Sequence, residues 1–286
     1  MSSEKCSPDV DSILKSPSYR LAYQDADFIR RPDMRPLRLE LELLKPEILL
    51  EEQGVDETIV VFGGTQLVEN RIAQTYLEQA EAELLQEPAD THRQRAVARA
   101  KRRQAKAHFY DECREFSRIA SSLKDHTGKS RYCIVTGGGP GIMEAANRGA
   151  HDVGAKNAGL NITLPFEQIP NPYITPNLCF QFNYFAIRKM HFLLRAKALI
   201  CFPGGFGTLD ELFTTLTLRQ TQRMQEIPVI LYGSEYWKQV LNFEFLADEG
   251  MIQDEHLELF TYADSPQEAW RCIAEYHQHD LSDFRE

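Results

Sequence analysis

KALICFPGGFGTLDELFTTLTLRQTQRM, residues 197–224, runs from a short apolar stretch through a glycine-rich turn into a segment of helical periodicity. Strand, glycine turn and helix in that order form the repeating unit of a parallel α/β sheet. The same order occurs at TIVVFGG (58–64) and at RYCIVTGGG (131–139), the latter followed by PGIMEAANRGAHDVG (140–154). Further strands are read at NAGLNITLP (157–165), LCFQFNYF (178–185) and PVILYG (228–233). Further helices are read at RKMHFLLRA (188–196), TLDELFTTLTLRQTQRM (208–224), SEYWKQVLNFEFLADEG (234–250) and SPQEAWRCIAEYHQ (265–278). Continuous apolar strands alternating with helices predict an α/β fold. The expected form is a doubly wound, mostly parallel sheet with helices on both faces. That domain is expected over residues 57–286, with residues 1–56 as an N-terminal helical extension. Within the extension, RLELELLKPEILLEEQG (38–54) carries leucines at helical spacing, broken by Pro46, to pack on the core or on a second subunit. Residues 66–125 read as helical with a break near EPADTH (87–92).

Composition narrows the function classes. The 286 residues are 43% hydrophobic and 26% charged, with a net charge of −10. An acidic chain has no general attraction to nucleic acid or to an anionic membrane, so a phosphate must be held by a local site. The basic stretch RQRAVARAKRRQAK (93–106) reads as a solvated helix face. No apolar run reaches the length of a membrane span, and the first residues lack the apolar core of a secretory leader. Six scattered cysteines, no CxxC pair and no zinc-like histidine spacing point to a reduced, cytoplasmic protein with no metal and no cofactor. His191 reads as a partly buried helix residue rather than a ligand, His108, His277 and His279 show no partner in the sequence, and Trp237 and Trp270 read as packing anchors.

Three strands end in glycine turns: Gly63, Gly64 and Thr65; Gly137, Gly138, Gly139 and Gly141; and Pro203, Gly204, Gly205, Phe206, Gly207 and Thr208. In a parallel sheet, ligands sit beyond the carboxyl ends of the strands, where glycine lets the backbone approach an anion and helix N–H groups face it. One such turn also fits a tight connection with no ligand; three favour a phosphate-bearing one. The second turn lacks the Lys-Ser/Thr of a P-loop, and Ile142 stands where a dinucleotide fingerprint needs its third glycine. Thr208-Leu-Asp-Glu211 has capping-box spacing, which puts Asp210 and Glu211 in the first helical turn. The helix dipole would then keep Glu211 ionised at pH 7, and capping and chemistry stay equally open on the motif alone. Met143 lines a base pocket or fills the core; Glu144 is a first-turn carboxylate or a ribose contact; Asp210 is a dipole partner or a sugar-hydroxyl ligand.

GGGPGIMEAANRGA (137–150) and PGGFGTLDE (203–211) together resemble the Lonely Guy (LOG) family, whose PGGxGTxxE motif is matched at Pro203, Gly204, Gly205, Gly207, Thr208 and Glu211. YFAIRKMHF (184–192) resembles the family's Arg-Lys segment, and the similarity runs over about residues 57–262. The resemblance implies a dimeric or larger Rossmann-like phosphoribohydrolase. Such an enzyme splits the N-glycosidic bond of AMP or a cytokinin riboside 5′-monophosphate into free base and ribose 5-phosphate. It also implies Arg188 and Glu211 as the catalytic pair, with Lys189 beside them. The family's older label, lysine decarboxylase, has no support here, since no pyridoxal phosphate signature is legible. The alternative is a nucleotide sensor or carrier that uses the same turns without turnover.

Overall fold

Seven short strands pair in parallel in the order β4-β3-β2-β1-β5-β6-β7. They are β1 (Thr58–Phe62), β2 (Cys133–Thr136), β3 (Asn157–Ile162), β4 (Cys179–Phe182), β5 (Ala196–Cys201), β6 (Val229–Tyr232) and β7 (Thr261–Ala263). The computed structural model describes residues 9–165 and 169–279; Cys6 and the extreme N-terminal leader reading lie outside them. The described residues divide into two compact units, one through Lys45 and one from Pro46 onward.

The first unit holds α1 (Val10–Lys15), α2 (Ala26–Arg30) and the start of α3 (Arg35–Glu52). The sequence led us to expect a break at Pro46, yet α3 runs through it. Proline inside a helix costs about 3 kcal/mol, and here Pro46 and Leu50 are both buried, which offsets that cost.

In the second unit, alternate strand residues face opposite layers. Ile59, Val61, Ile134 and Ile200 pack on one side with Phe116, Ala146 and Trp270. These belong to α6 (His108–Ser122), α7 (Ile142–Asp152) and α12 (Pro266–Tyr276). Val60, Phe62, Val135 and Leu199 pack on the other side with Phe192, Leu212, Trp237 and Phe243. Those come from α8 (Phe185–Leu194), α9 (Phe206–Gln220), α10 (Ser234–Val240) and α11 (Phe243–Asp248). Residues 234–250, expected as one helix, are thus two, with Asn242 capping the second through Phe245 N–H at 3.0 Å. The segment 66–125 forms α4 (Asn70–Gln86), α5 (Thr91–Ala105) and α6, with Asp90 capping α5 at the expected break. On α5, Arg93 and Lys101 pair with Glu87 and Glu81, as a solvated face does.

The strand order places the topological switch between β1 and β5. Chains leaving β1 step outward to β2, β3 and β4; the chain then crosses back to β5 and continues to β6 and β7. Such a switch point opens a crevice at the carboxyl ends of the strands.

Candidate functional site

The three glycine turns leave β1, β2 and β5, which are neighbours at that switch. Backbone contacts lock them together. Gly64 N–H donates to Pro203 O at 2.9 Å, and Ile142 N–H donates to Gly64 O at 3.2 Å. Gly141 has φ +74°, and a Cβ there would sit 2.4 Å from Gly64 O. A Cβ on Gly63 would meet Ile142 at 2.5 Å. These two positions therefore need glycine for close approach.

The second turn is held by a buried amide network absent from the sequence reading. Gly138 N–H donates to Thr136 Oγ1 at 2.9 Å, and Thr136 Oγ1 donates to Asn147 Oδ1 at 2.7 Å. Asn147 Nδ2 donates to Asn157 Oδ1 at 2.8 Å, and Asn171 Nδ2 donates to Asn147 Oδ1 at 2.9 Å and Gly139 O at 3.1 Å. Met143 stands beside Gly137, its Sδ 2.9 Å from where a Cβ would be. Glu144 accepts a hydrogen bond from Tyr110 Oη at 2.8 Å, and Arg148 pairs with Glu69 at the end of the first turn's loop.

The third turn opens α9, whose N-terminal residue is Phe206 after Gly205, with no side-chain cap. The capping-box expectation fails for that reason. The helix starts two residues before Thr208, so Thr208 is its third residue and Asp210 and Glu211 lie in its second turn. Glu211 then turns inward and is 4% exposed, far from the benefit of the helix end. Burial pushes its carboxyl up to about 7, against the pull of Lys189 and Arg188. The ionisation expected at pH 7 is thus only partial.

Arg188 reaches Glu211 from α8, with Nη2 4.0 Å from Oε1. At that separation the two atoms form an ion pair without a hydrogen bond. Among the described residues, Glu211 Oε1 and Arg188 Nε are buried without a hydrogen-bond partner. Burial also lowers the affinity of the Arg188 guanidinium for its proton, opposed by Glu211 and Asp210. Its guanidinium lies 5.0 Å from the Phe185 ring centre and 5.6 Å from that of Phe192, which fix its plane. Buried polar atoms are nearly always paired, which makes this pair the candidate for a functional role.

The remaining candidates separate. Lys189 Nζ donates to Asp210 at 2.7 Å and to Thr214 Oγ1 at 3.0 Å, forming a half-exposed neighbour of the pair. Pro203 and Thr208 are buried, whereas Phe206 is 91% exposed and Gly205 and Gly207 face open space. Tyr236, unremarked in the sequence, donates to Gly204 O at 2.6 Å. It lines a cavity of about 340 Å³ beside the third turn. A larger cavity of about 770 Å³ opens between α8 and α9 near the start of β5, lined in part by Met190, Leu194 and Leu218; no glycine turn lines it. His191 is buried with Nδ1 3.2 Å from Glu47. His277 and His279, without evident partners in the sequence, meet Lys197 O at 2.8 Å and Tyr132 Oη at 2.6 Å. Trp237 and Trp270 are buried anchors, as expected. Among the described residues no group of three His, Cys, Asp or Glu side chains is placed to hold a metal ion, and no helix is long and apolar enough to cross a membrane.

Fold and site together define an α/β protein with three glycine turns at the topological switch of a parallel sheet, beside a buried Arg–Glu pair. A family model described as "Possible lysine decarboxylase" matches residues 143–273, which contain both Arg188 and Glu211. Cytokinin riboside 5′-monophosphate phosphoribohydrolase LOG7 of Arabidopsis thaliana is 27% identical over 166 residues, covering 56% of this chain and 75% of its own. LOG3 of the same plant, a protein of the same printed activity, is 27% identical over 148 residues, covering 50% and 67%. A molybdenum cofactor binding protein from Rippkaea orientalis superposes with a TM-score of 0.44 at 18% identity, over 59% of this chain and 88% of that one. Over these matched segments the chain is similar to proteins of the LOG family.

Proposed function

We propose that the chain is a phosphoribohydrolase that cleaves the N-glycosidic bond of a purine nucleoside 5′-monophosphate, AMP or a cytokinin riboside monophosphate. The observation that carries this reading is the buried, unsatisfied Glu211–Arg188 pair beside the three locked glycine turns. In this reading the N–H groups of residues 204–208 receive the 5′-phosphate at the start of α9. Gly63, Gly64, Thr65, Gly137, Gly138, Gly139 and Gly141 form the crevice floor, Met143 borders the base, and Glu144 borders the ribose. Lys189 keeps Asp210 from repelling the incoming phosphate.

Cleavage passes through an oxocarbenium-like state, with positive charge on the sugar. The ionised carboxylate of Glu211 stabilises that charge and orients the attacking water. The water oxygen bonds to C1′, the C1′–N bond breaks, and a proton passes to the departing base. Arg188 holds the carboxylate and a substrate oxygen in register. The phosphate supplies binding energy remote from the reacting carbon. A homodimer, acting in the cytoplasm without metal or cofactor, completes the proposal.

The test is a panel of nucleoside monophosphates assayed for free base. AMP or a prenylated AMP should yield base and ribose 5-phosphate. Glu211→Gln should lose at least about 100-fold in kcat while still binding AMP by calorimetry. Because Glu211 must be ionised, kcat/KM should fall as pH drops through about 7, where the free enzyme's carboxyl takes up its proton. Wild-type binding without base release would leave a sensor or carrier; unaltered turnover in Glu211→Gln would remove Glu211 from the chemistry.

A further inference from the structure

We infer that Glu144 reads the ribose hydroxyls and that Tyr110 aims it, so that ribonucleotides are taken over their 2′-deoxy counterparts. This role rests on the proposed reaction, to which it adds a second carboxylate. Three helix starts supply the parts. Glu69 directly precedes α4, Tyr110 is the third residue of α6, and Glu144 is the third of α7. Tyr110 Oη donates to Glu144 Oε1 at 2.8 Å. Arg148, one turn on from Glu144, has the spacing to pair with it along the helix. Its guanidinium instead pairs with Glu69 and reaches Tyr110 Oη at 3.5 Å. The Tyr173 ring centre lies 5.2 Å from that guanidinium and helps to keep it there. Among the described residues Glu144 therefore enters no ion pair. Tyr110 is 1% exposed, and burial pushes its hydroxyl well above the ordinary tyrosine range, so it stays a donor at working pH. The carboxylate is fixed in direction by a neutral group and keeps its whole charge.

Hydrogen-bond chemistry decides what such a group takes. An ionised carboxylate accepts and never donates, and its two oxygens offer about four lone-pair sites, of which Tyr110 fills one. A phosphate brings no donor and is repelled. Vicinal ribose hydroxyls bring two donors side by side. The place agrees with the chemistry. Glu144 is half-buried rather than sealed, three residues past Gly141, whose backbone packs on Gly64 O and Thr65. It therefore stands by the first two glycine turns and leaves the third to the phosphate. A bond to the sugar 2-hydroxyl strengthens as a glycosidic bond breaks, so its loss is felt in kcat/KM. The order Arg148 to Tyr110 to Glu144 also polarises the phenol towards the carboxylate. Tyr110 itself touches no substrate and is a positioning residue.

The test compares AMP with 2′-deoxy-AMP in wild type, Glu144→Gln and Tyr110→Phe, by base release and by calorimetric affinity. Wild type should favour AMP. Each variant should lose roughly 10- to 100-fold more kcat/KM on AMP than on 2′-deoxy-AMP, the worth of a hydrogen bond to a charged group. A Tyr110 that only supports the fold would lower both nucleotides alike, so the ratio separates the two roles. Equal wild-type values for the two nucleotides overturn the inference. So does a ratio left unchanged by Glu144→Gln, or an AMP-to-IMP ratio that moves in its place, the mark of a base contact. A ratio that collapses in Glu144→Gln and holds in Tyr110→Phe removes Tyr110 from the role. If no nucleotide releases base, the proposed reaction fails by itself, and the affinity ratio then decides whether Glu144 reads the sugar.

Discussion

The turn after β2 and the turn after β5 both begin with glycines at the same edge of the sheet, yet their polar groups live differently. Around residues 137–139 the backbone is tied to Thr136, Asn147 and Asn171, and the amides continue to Asn157. Among the described residues Asn161, which lies beside Gly138, keeps a buried Oδ1 without a partner. Behind residues 203–208, Glu211 and Arg188 face each other across 4.0 Å with buried atoms unsatisfied. A satisfied buried network rigidifies; an unsatisfied one costs stability and is kept for another purpose. The turn after β2 is thus tied into an amide network, and the turn after β5 stands before the unsatisfied pair to which the proposed function gives the chemistry.

That contrast can be broken most directly at Glu211. Its carboxyl binds a proton more tightly in the folded chain than in the unfolded one, where an ordinary value near 4.5 applies. The folded state is thus favoured below pH 4.5 and loses that advantage as pH rises to about 7. The loss is at most about 3 kcal/mol. Glu211→Gln, which cannot ionise, should match wild type in thermal unfolding at pH 4.5 and exceed it at pH 8, by less than that ceiling because Arg188 loses its counter-charge. Equal melting curves at pH 8 would show that the carboxylate is not strained.

The opposite sign is expected in the amide network. Asn147→Ala strands Thr136, Asn157 and Asn171 and should cost about 2 kcal/mol, read by urea denaturation with an unchanged m-value. A neutral result would mean the amides are dispensable. The smallest effect belongs to Lys189→Ala. Its partner Asp210 is half exposed, so stability should move by less than about 1 kcal/mol. Lys189 also helps hold Glu211 ionised, so the acid limb of kcat/KM should shift upward in pH. A limb that stays in place would separate Lys189 from the pair.

How much of this was legible differs by residue. Strand–turn–helix order and the apolar runs led directly to the parallel sheet, because β1, β2, β3 and β6 are buried on both faces. Arg188 and Glu211 were legible only through their motif segments; sequence spacing carries no sign that residues 23 apart would meet. The error at Glu211 had a local cause. Thr208 looks like a cap, but Gly205 already adopts the extended backbone that precedes the helix, and a start three residues earlier puts Glu211 in the second turn, where it is buried. The amide network stayed invisible because Asn147, Asn157 and Asn171 sit on α7, on β3 and in a loop, and asparagine in a sequence ordinarily reads as a turn former. The sequence stopped α3 at Pro46 by a rule about backbone hydrogen bonds that burial overrides.

The carbonyl of Gly64 occupies the space where residue 141 would carry a side chain, and the same glycine's amide is tied to Pro203. Three loops from three strands are thereby pinned at one point and cannot open one at a time. On the proposed function, substrate then enters past the exposed Phe206 ring. A saturation library at position 141 should return glycine alone among folded members, which would make that position a convenient sentinel for whether a redesigned crevice has kept its shape.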